Sequence, residues 1–368
     1  MNKKKYSLKN KISLIFITII IFLLLINNIN FFSKEPNIPE ISLYKKTNNT
    51  ILAYTLSPDY KRQEGEYIKT NSKGLRDYEY NYTKPNDTYR ILAIGDSVTF
   101  GSLVDMKDSW PKQLEEILNQ NTTKKYEVIN MGVSGYTTLQ EMEWIQLEGL
   151  KYEPDMIIIG YVLNDPLAFY NPLHQIYPIK YIIERENKIY SKIKAPSLCK
   201  IRNSLFKSKI MLKINEVFKF SYNRYLFVYP KGKTMSDIRE VENNPDFYLK
   251  IHDNECTWKT ISFSFEKIKN ILKDIDVVIA IFPINFHNYN WKQEYPIIEV
   301  HNKIISEAKK NDFVIIDLLE EFKNYEQKLF WTEWPLDPVH YNKEGYTIAA
   351  KNIYENIKNI IDDKKEEE

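Results

Sequence analysis

The chain has 368 residues, 43% hydrophobic and 27% charged, enough to bury a substantial core, and too apolar to be intrinsically disordered. Its 51 basic and 49 acidic residues leave a formal charge of +2, which excludes the one-sided basic field expected of a nucleic-acid binder.

The first feature is a basic N-terminus, residues 1–11, with Lys3, Lys4, Lys5, Lys9 and Lys11. It precedes the uncharged run "ISLIFITIIIFLLLINNINFF", residues 12–32. A helix of roughly 20 residues crosses a bilayer core of about 30 Å, and flanking lysines stay on the cytoplasmic side. The run predicts a single transmembrane anchor with the rest of the chain extracytoplasmic. No small-residue cleavage site of the A-x-A kind follows it, which argues against a removed signal peptide. Residues 33–65 are polar, contain Pro36, Pro39 and Pro58, and read as a stalk or linker.

From Tyr89 onward, short apolar runs alternate with longer amphipathic ones. "YRILAIG", "YEVINMG", "PDMIIIGYV", "DVVIAIFPI" and "DFVIIDLL" read as strands. Between or after them, "SWPKQLEEILNQ", "TTLQEMEWIQLEGL", "FEKIKNILKDI", "IIEVHNKIISEAKK" and a final stretch over 342–361 read as helices. The pattern predicts an α/β fold with five parallel strands covered on both faces. The main domain is set at 66–362, followed by a charged tail, 363–368. An insertion at about 166–257 interrupts the alternation. Within it, residues 200–227 are strongly basic and could rest on an anionic membrane or simply face water.

In a parallel sheet, ligands meet the carboxyl ends of the strands. The first strand ends in Gly95, Asp96 and Ser97, the second in Asn130, Met131 and Gly132, and the third leads to Asn164 and Asp165. Asp337 and His340 follow the fifth strand. A serine hydroxyl is a weak nucleophile until a base takes its proton, and a histidine with an ordinary pKa of about 6.5 is suited to do so. Asp337 can hold the far ring nitrogen of His340, while the N–H groups of Ser97 and Gly132 and the Asn164 amide can receive an oxyanion. Gly132 is expected to matter because no Cβ obstructs the substrate there. Asp96 reads as a brace or helix cap rather than a proton carrier.

The four blocks "IGDSVTFG", "INMGVSGYTT", "GYVLND" and "DPVH" together resemble the SGNH hydrolases, the GDSL-type esterases and lipases. Membrane-anchored or secreted bacterial members also carry a segment similar to "NSKGLR", residues 71–76. The resemblance covers about 71–361, apart from much of the insertion. It implies a flavodoxin-like α/β/α sandwich, a Ser97–His340–Asp337 triad, an oxyanion hole of Ser97, Gly132 and Asn164, and no cofactor or metal. Valine follows Ser97 where the family name has leucine, and three residues separate Gly160 from Asn164 where many members have one. There is no G-x-S-x-G elbow of the α/β-hydrolase kind.

The reading is a serine esterase acting on an acyl ester, expected to be short-chain. An O-acyltransferase or deacetylase of cell-surface polysaccharide would use the same site, and an idle membrane-anchored binding protein is the alternative of another class. The substrate partner is a small ester or an acylated glycan. His174, His287 and His301 read as surface or packing residues. Trp331 and Trp334 could line a pocket or a satellite core. Cys199 and Cys256 could form a disulfide or remain two buried thiols.

Overall fold

The structure is a computed structural model describing residues 42–367, apart from 63–67, 121, 123, 167–178, 198, 200–239 and 331–336. The expected anchor at 12–32, the basic stretch 200–227, His174, Trp331 and Trp334 lie outside the described residues. Among the described residues no helix is long and apolar enough to cross a membrane.

The described elements begin inside the region expected to be a stalk. Strands β1 (Tyr44–Lys46) and β2 (Tyr54–Leu56) form one antiparallel hairpin, and β3 (Lys61–Arg62) and β4 (Ile68–Lys69) a second. Ile51, Leu52, Ala53, Tyr54 and Leu56 are buried against the main body, so the linker expectation for 33–65 is corrected over this stretch. Gln140 Nε2 donates to Leu52 O at 2.8 Å and the Tyr136 hydroxyl to Tyr54 O at 2.7 Å. These contacts satisfy a backbone that a solvated linker would leave to water.

The main sheet holds β5 (Thr88–Gly95), β6 (Lys125–Asn130), β7 (Met156–Val162), β8 (Asp276–Phe282) and β9 (Val314–Asp317). Its order is β6-β5-β7-β8-β9, with every neighbouring pair parallel, as expected from the five apolar runs. This order places the switch point at β5, between β6 and β7, where doubly wound folds put their ligands. All residues of β5 and β7 are buried, which is why residues 91–94 of β5 and the whole of β7 read as apolar runs rather than alternating ones.

The helices are α1 (Ser97–Phe100), α2 (Trp110–Leu118), α3 (Thr138–Leu147), α4 (Ile179–Lys192), α5 (Pro245–Asp253), α6 (Glu255–Ile271), α7 (Ile298–Lys309), α8 (Leu318–Phe322) and α9 (Lys343–Glu367). Helices α2 and α9 pack together on one face, and α3 with α6 on the other, giving three layers. Helix α9 continues through the stretch expected to be a solvated tail, because "DDKKEEE" is built largely of good helix formers. Helices α4 and α5 belong to the insertion. Cys199 and Cys256 are bonded across 57 residues, so the pairing left open by the sequence is made, and it pins the insertion to the start of α6.

His252 on α5 is buried, with Nδ1 at 2.8 Å from Tyr248 O and Nε2 at 3.2 Å from the Tyr161 hydroxyl. Burial depresses its pKa to about 4. The unfolded chain then binds this proton more readily, so the stability His252 contributes is complete above about pH 6.5 and is lost as pH falls toward 4. The loss should approach about 3 kcal/mol. Unfolding midpoints of the wild type and His252→Gln, measured from pH 7 to 4, should converge or cross as pH falls; parallel curves would refute this.

Candidate active site

Strand β5 delivers Asp96 and Ser97 to the carboxyl edge of the sheet. Asp96 caps α1, with Oδ1 accepting from Val98 N at 2.8 Å, and the Ser97 hydroxyl reaches its Oδ2 at 3.2 Å. Burial raises the Asp96 pKa, opposed by N–H groups of Val98 and Ser97 and by nearby His340. This is the bracing geometry expected of Asp96.

Ser97 Oγ lies 2.8 Å from His340 Nε2, although the two residues are 243 apart in the chain. His340 Nδ1 lies 2.8 Å from Asp337 Oδ2. Asp337 is 1% exposed, and its Oδ1 accepts from the backbone N–H of Val339 at 3.0 Å and of His340 at 3.1 Å. Three backbone and side-chain donors therefore fix the carboxylate, which in turn orients the imidazole. The imidazole can take the serine proton, and the carboxylate can support the charge it acquires.

Gly132 stands at the head of the loop after β6. Its N–H donates to Asn130 Oδ1 at 3.0 Å. The expected reason for a glycine here is corrected: an added Cβ would meet Phe100 N at 2.2 Å and Thr99 C at 2.6 Å, the backbone of α1 rather than a substrate space. Asn164 lies in the turn leaving β7, which Asp165 closes by accepting from Val162 N at 2.8 Å. The Asn164 side chain makes no hydrogen bond to the described residues, and its Oδ1 is buried. Ser97, Gly132 and Asn164 thus leave three neighbouring strands at one edge of the sheet.

Glu141 and Asp165 are buried, and among the described residues both Glu141 carboxyl oxygens lack a hydrogen-bond partner. Burial first, then repulsion from Asp96, raises Glu141; burial, then Glu141 and Asp96, raises Asp165. Burial and mutual repulsion both favour the protonated form of these carboxyls.

Two residues near the site escaped sequence reasoning. His287, expected to be surface or packing, is half-buried and bonded to the Asp337 backbone. Its signal was its place in "FPINFH", just past the carboxyl end of β8. Arg76 is buried against the end of α1 and had a signal only in the "NSKGLR" segment. His301 is a packing residue: it is buried, with Nδ1 at 2.9 Å from Asp317 Oδ1.

A parallel α/β sheet whose edge aligns serine, histidine and aspartate at hydrogen-bond distance has the arrangement of a serine hydrolase. The model of the GDSL-like Lipase/Acylhydrolase family matches residues 93–207, a stretch that contains Ser97, Gly132 and Asn164. Among solved structures, the chain is similar to a lipase/acylhydrolase from Enterococcus faecalis, at 15% identity and TM-score 0.38, covering 74% of this chain and 96% of that one. It is similar to a G-D-S-L family lipolytic protein from Desulfitobacterium hafniense, described as putative, at 15% identity and TM-score 0.36, covering 72% and 98%. It is also similar to a catalytic mutant of an acetylxylan esterase from Geobacillus stearothermophilus, at 14% identity and TM-score 0.41, covering 73% and 94%. No curated protein sequence matches the chain.

Proposed function

We propose that the protein is an extracytoplasmic, membrane-tethered serine esterase that cleaves an acyl ester through Ser97, His340 and Asp337. The observation that carries this reading is the unbroken pair of 2.8 Å contacts from Ser97 Oγ through the His340 ring to Asp337. Ser97 Oγ attacks the acyl carbon as His340 Nε2 takes its proton. His340 then passes that proton to the departing alcohol, leaving the acyl group on Ser97. A water molecule, deprotonated by the same nitrogen, releases the acid and restores the serine.

The oxyanion falls to Ser97 N–H, Gly132 N–H and the Asn164 amide. The Gly132 donor is shared with Asn130 and the Ser97 donor with Asp96, whereas Asn164 makes no side-chain hydrogen bond among the described residues. Asn164→Ala should therefore lower kcat by about 10²- to 10³-fold with little change in KM. Steady-state kinetics on an activated ester reads this directly, and a variant with wild-type kcat would remove Asn164 from the hole.

The outside location is supported by the lysine-flanked apolar run at 12–32 and by the Cys199–Cys256 bond, which persists in oxidising compartments. Protease added to intact cells should cut the chain; protection until the cells are lysed would overturn the placement. Model esters of increasing acyl length, assayed beside acetylated cell-envelope glycans, test the activity and read its substrate. Failure to turn over any ester above the uncatalysed rate would refute the esterase reading.

A further inference from the structure

Helix α1 is four residues long and begins at Ser97, so its own backbone bonds hold it weakly. The position of the Ser97 hydroxyl depends on what grips the two ends. Asp96 caps the first. At the other end, Arg76 Nη1 donates to Phe100 O at 2.9 Å and Gly101 O at 2.6 Å, and Nη2 donates to Val104 O at 2.7 Å. The guanidinium carbon sits 4.8 Å from the Phe100 ring centroid, and Arg76 is 1% exposed. Gly101, which ends the helix, is left-handed at φ 79°, so its carbonyl turns out of the helical direction toward this cation. A planar fork with fixed donors can hold three such carbonyls at once, and its charge matches the negative end of the helix.

The next residue grips the neighbouring loop. Asp77 is buried; its Oδ2 accepts from Asn130 N at 2.6 Å, and its Oδ1 lies 2.8 Å from Lys112 Nζ. Burial pushes the Asp77 carboxyl up to about 6, still ionised at neutral pH. Burial alone would lower Lys112, but Asp77 and Glu115 outweigh it and hold it above its usual range, so the pair stays charged. Asn130 in turn holds the Gly132 N–H. Consecutive residues outside the four blocks therefore clamp the loops that present Ser97 and Gly132.

We propose that Arg76 is a positioning residue for Ser97, fixing the C-terminal end of α1 so that the hydroxyl stays in line with His340, while Asp77 fixes the adjoining loop. The inference rests on the reading of Ser97 as the nucleophile. Its test compares the wild type with Ser97→Ala, Arg76→Ala and Arg76→Lys. The readouts are kcat, KM, the rate of fluorophosphonate labelling, and activity with added guanidinium ion.

Arg76→Ala should lose about 10- to 100-fold in kcat and in labelling rate, with KM changed by no more than about 3-fold. Guanidinium ion should restore part of that loss in Arg76→Ala and none in Ser97→Ala. Arg76→Lys keeps the charge without the fork and should show a loss of the same kind. Folded Arg76 variants with kcat and labelling within about 2-fold of wild type would overturn the proposal. So would a loss confined to KM, or failure of both variants to fold, since Arg76 would then serve the fold rather than the nucleophile. A wild type that neither hydrolyses esters nor labels would instead reject Ser97 as nucleophile, which separates the two failures.

Discussion

Replacing Ser97 with alanine should lower kcat for ester hydrolysis by about 10⁴-fold or more, with the unfolding midpoint close to that of the wild type. The substitution removes one oxygen whose partners are His340 Nε2 and Asp96 Oδ2. Neither contact carries the fold: the Asp96 cap keeps its bond from Val98 N, and Asp337 keeps its backbone donors. Substrate should still bind, so KM should change far less than kcat. The residual rate would report what the oxyanion donors do without a nucleophile. A fluorophosphonate should label the wild type at Ser97 and leave the variant unlabelled. Equal labelling of both proteins would place the nucleophile elsewhere, and the triad reading would fall with it.

Gly132→Ala should be strongly damaging, through geometry rather than chemistry. The new carbon would stand 2.2 Å from Phe100 N, 2.6 Å from Thr99 C and 2.8 Å from Phe100 Cα. All three are backbone atoms, so no side chain can swing aside, and α1 itself must shift. Gly132 is not among the residues with positive φ, so alanine meets no backbone penalty of its own and the cost is steric. Overpacking of this kind costs about 1–3 kcal/mol, sometimes more. Because the displaced element begins at Ser97, kcat should also fall, by about 10²-fold for a shift near 1 Å. Denaturant midpoints and kcat measured on the same preparation check both parts. A variant as stable and active as wild type would show that α1 yields easily, contrary to its grip by Asp96 and Arg76.

The alternation of strand and helix was legible because β5, β7 and β8 are buried on both faces and so carry apolar runs. That Ser97, His340 and Asp337 would come together was legible for a related reason. Chemistry in a parallel sheet collects where strands end: Ser97 directly follows β5, and Asp337 and His340 lie in the connection between the last strand and the last helix. The β1–β2 hairpin was not legible: its strands are three residues long, and what buries Tyr54 is a set of partners some eighty residues away, including Tyr136 and Ser134. The pairing of Cys199 with Cys256 was equally hidden, since two cysteines in a sequence do not state their distance.

The sequence by itself determined the sheet, the edge on which the site lies and the residue types that gather there. These follow from periodicity and from local chemistry. Only the tertiary structure decided that Ser97 and His340 meet at 2.8 Å, that Gly132 makes room for α1 rather than for a substrate, and that Arg76 and Asp77 hold the loops. Each of these depends on which distant segments come to share a surface. A linear pattern records the burial of a residue, but not the identity of the neighbour that buries it.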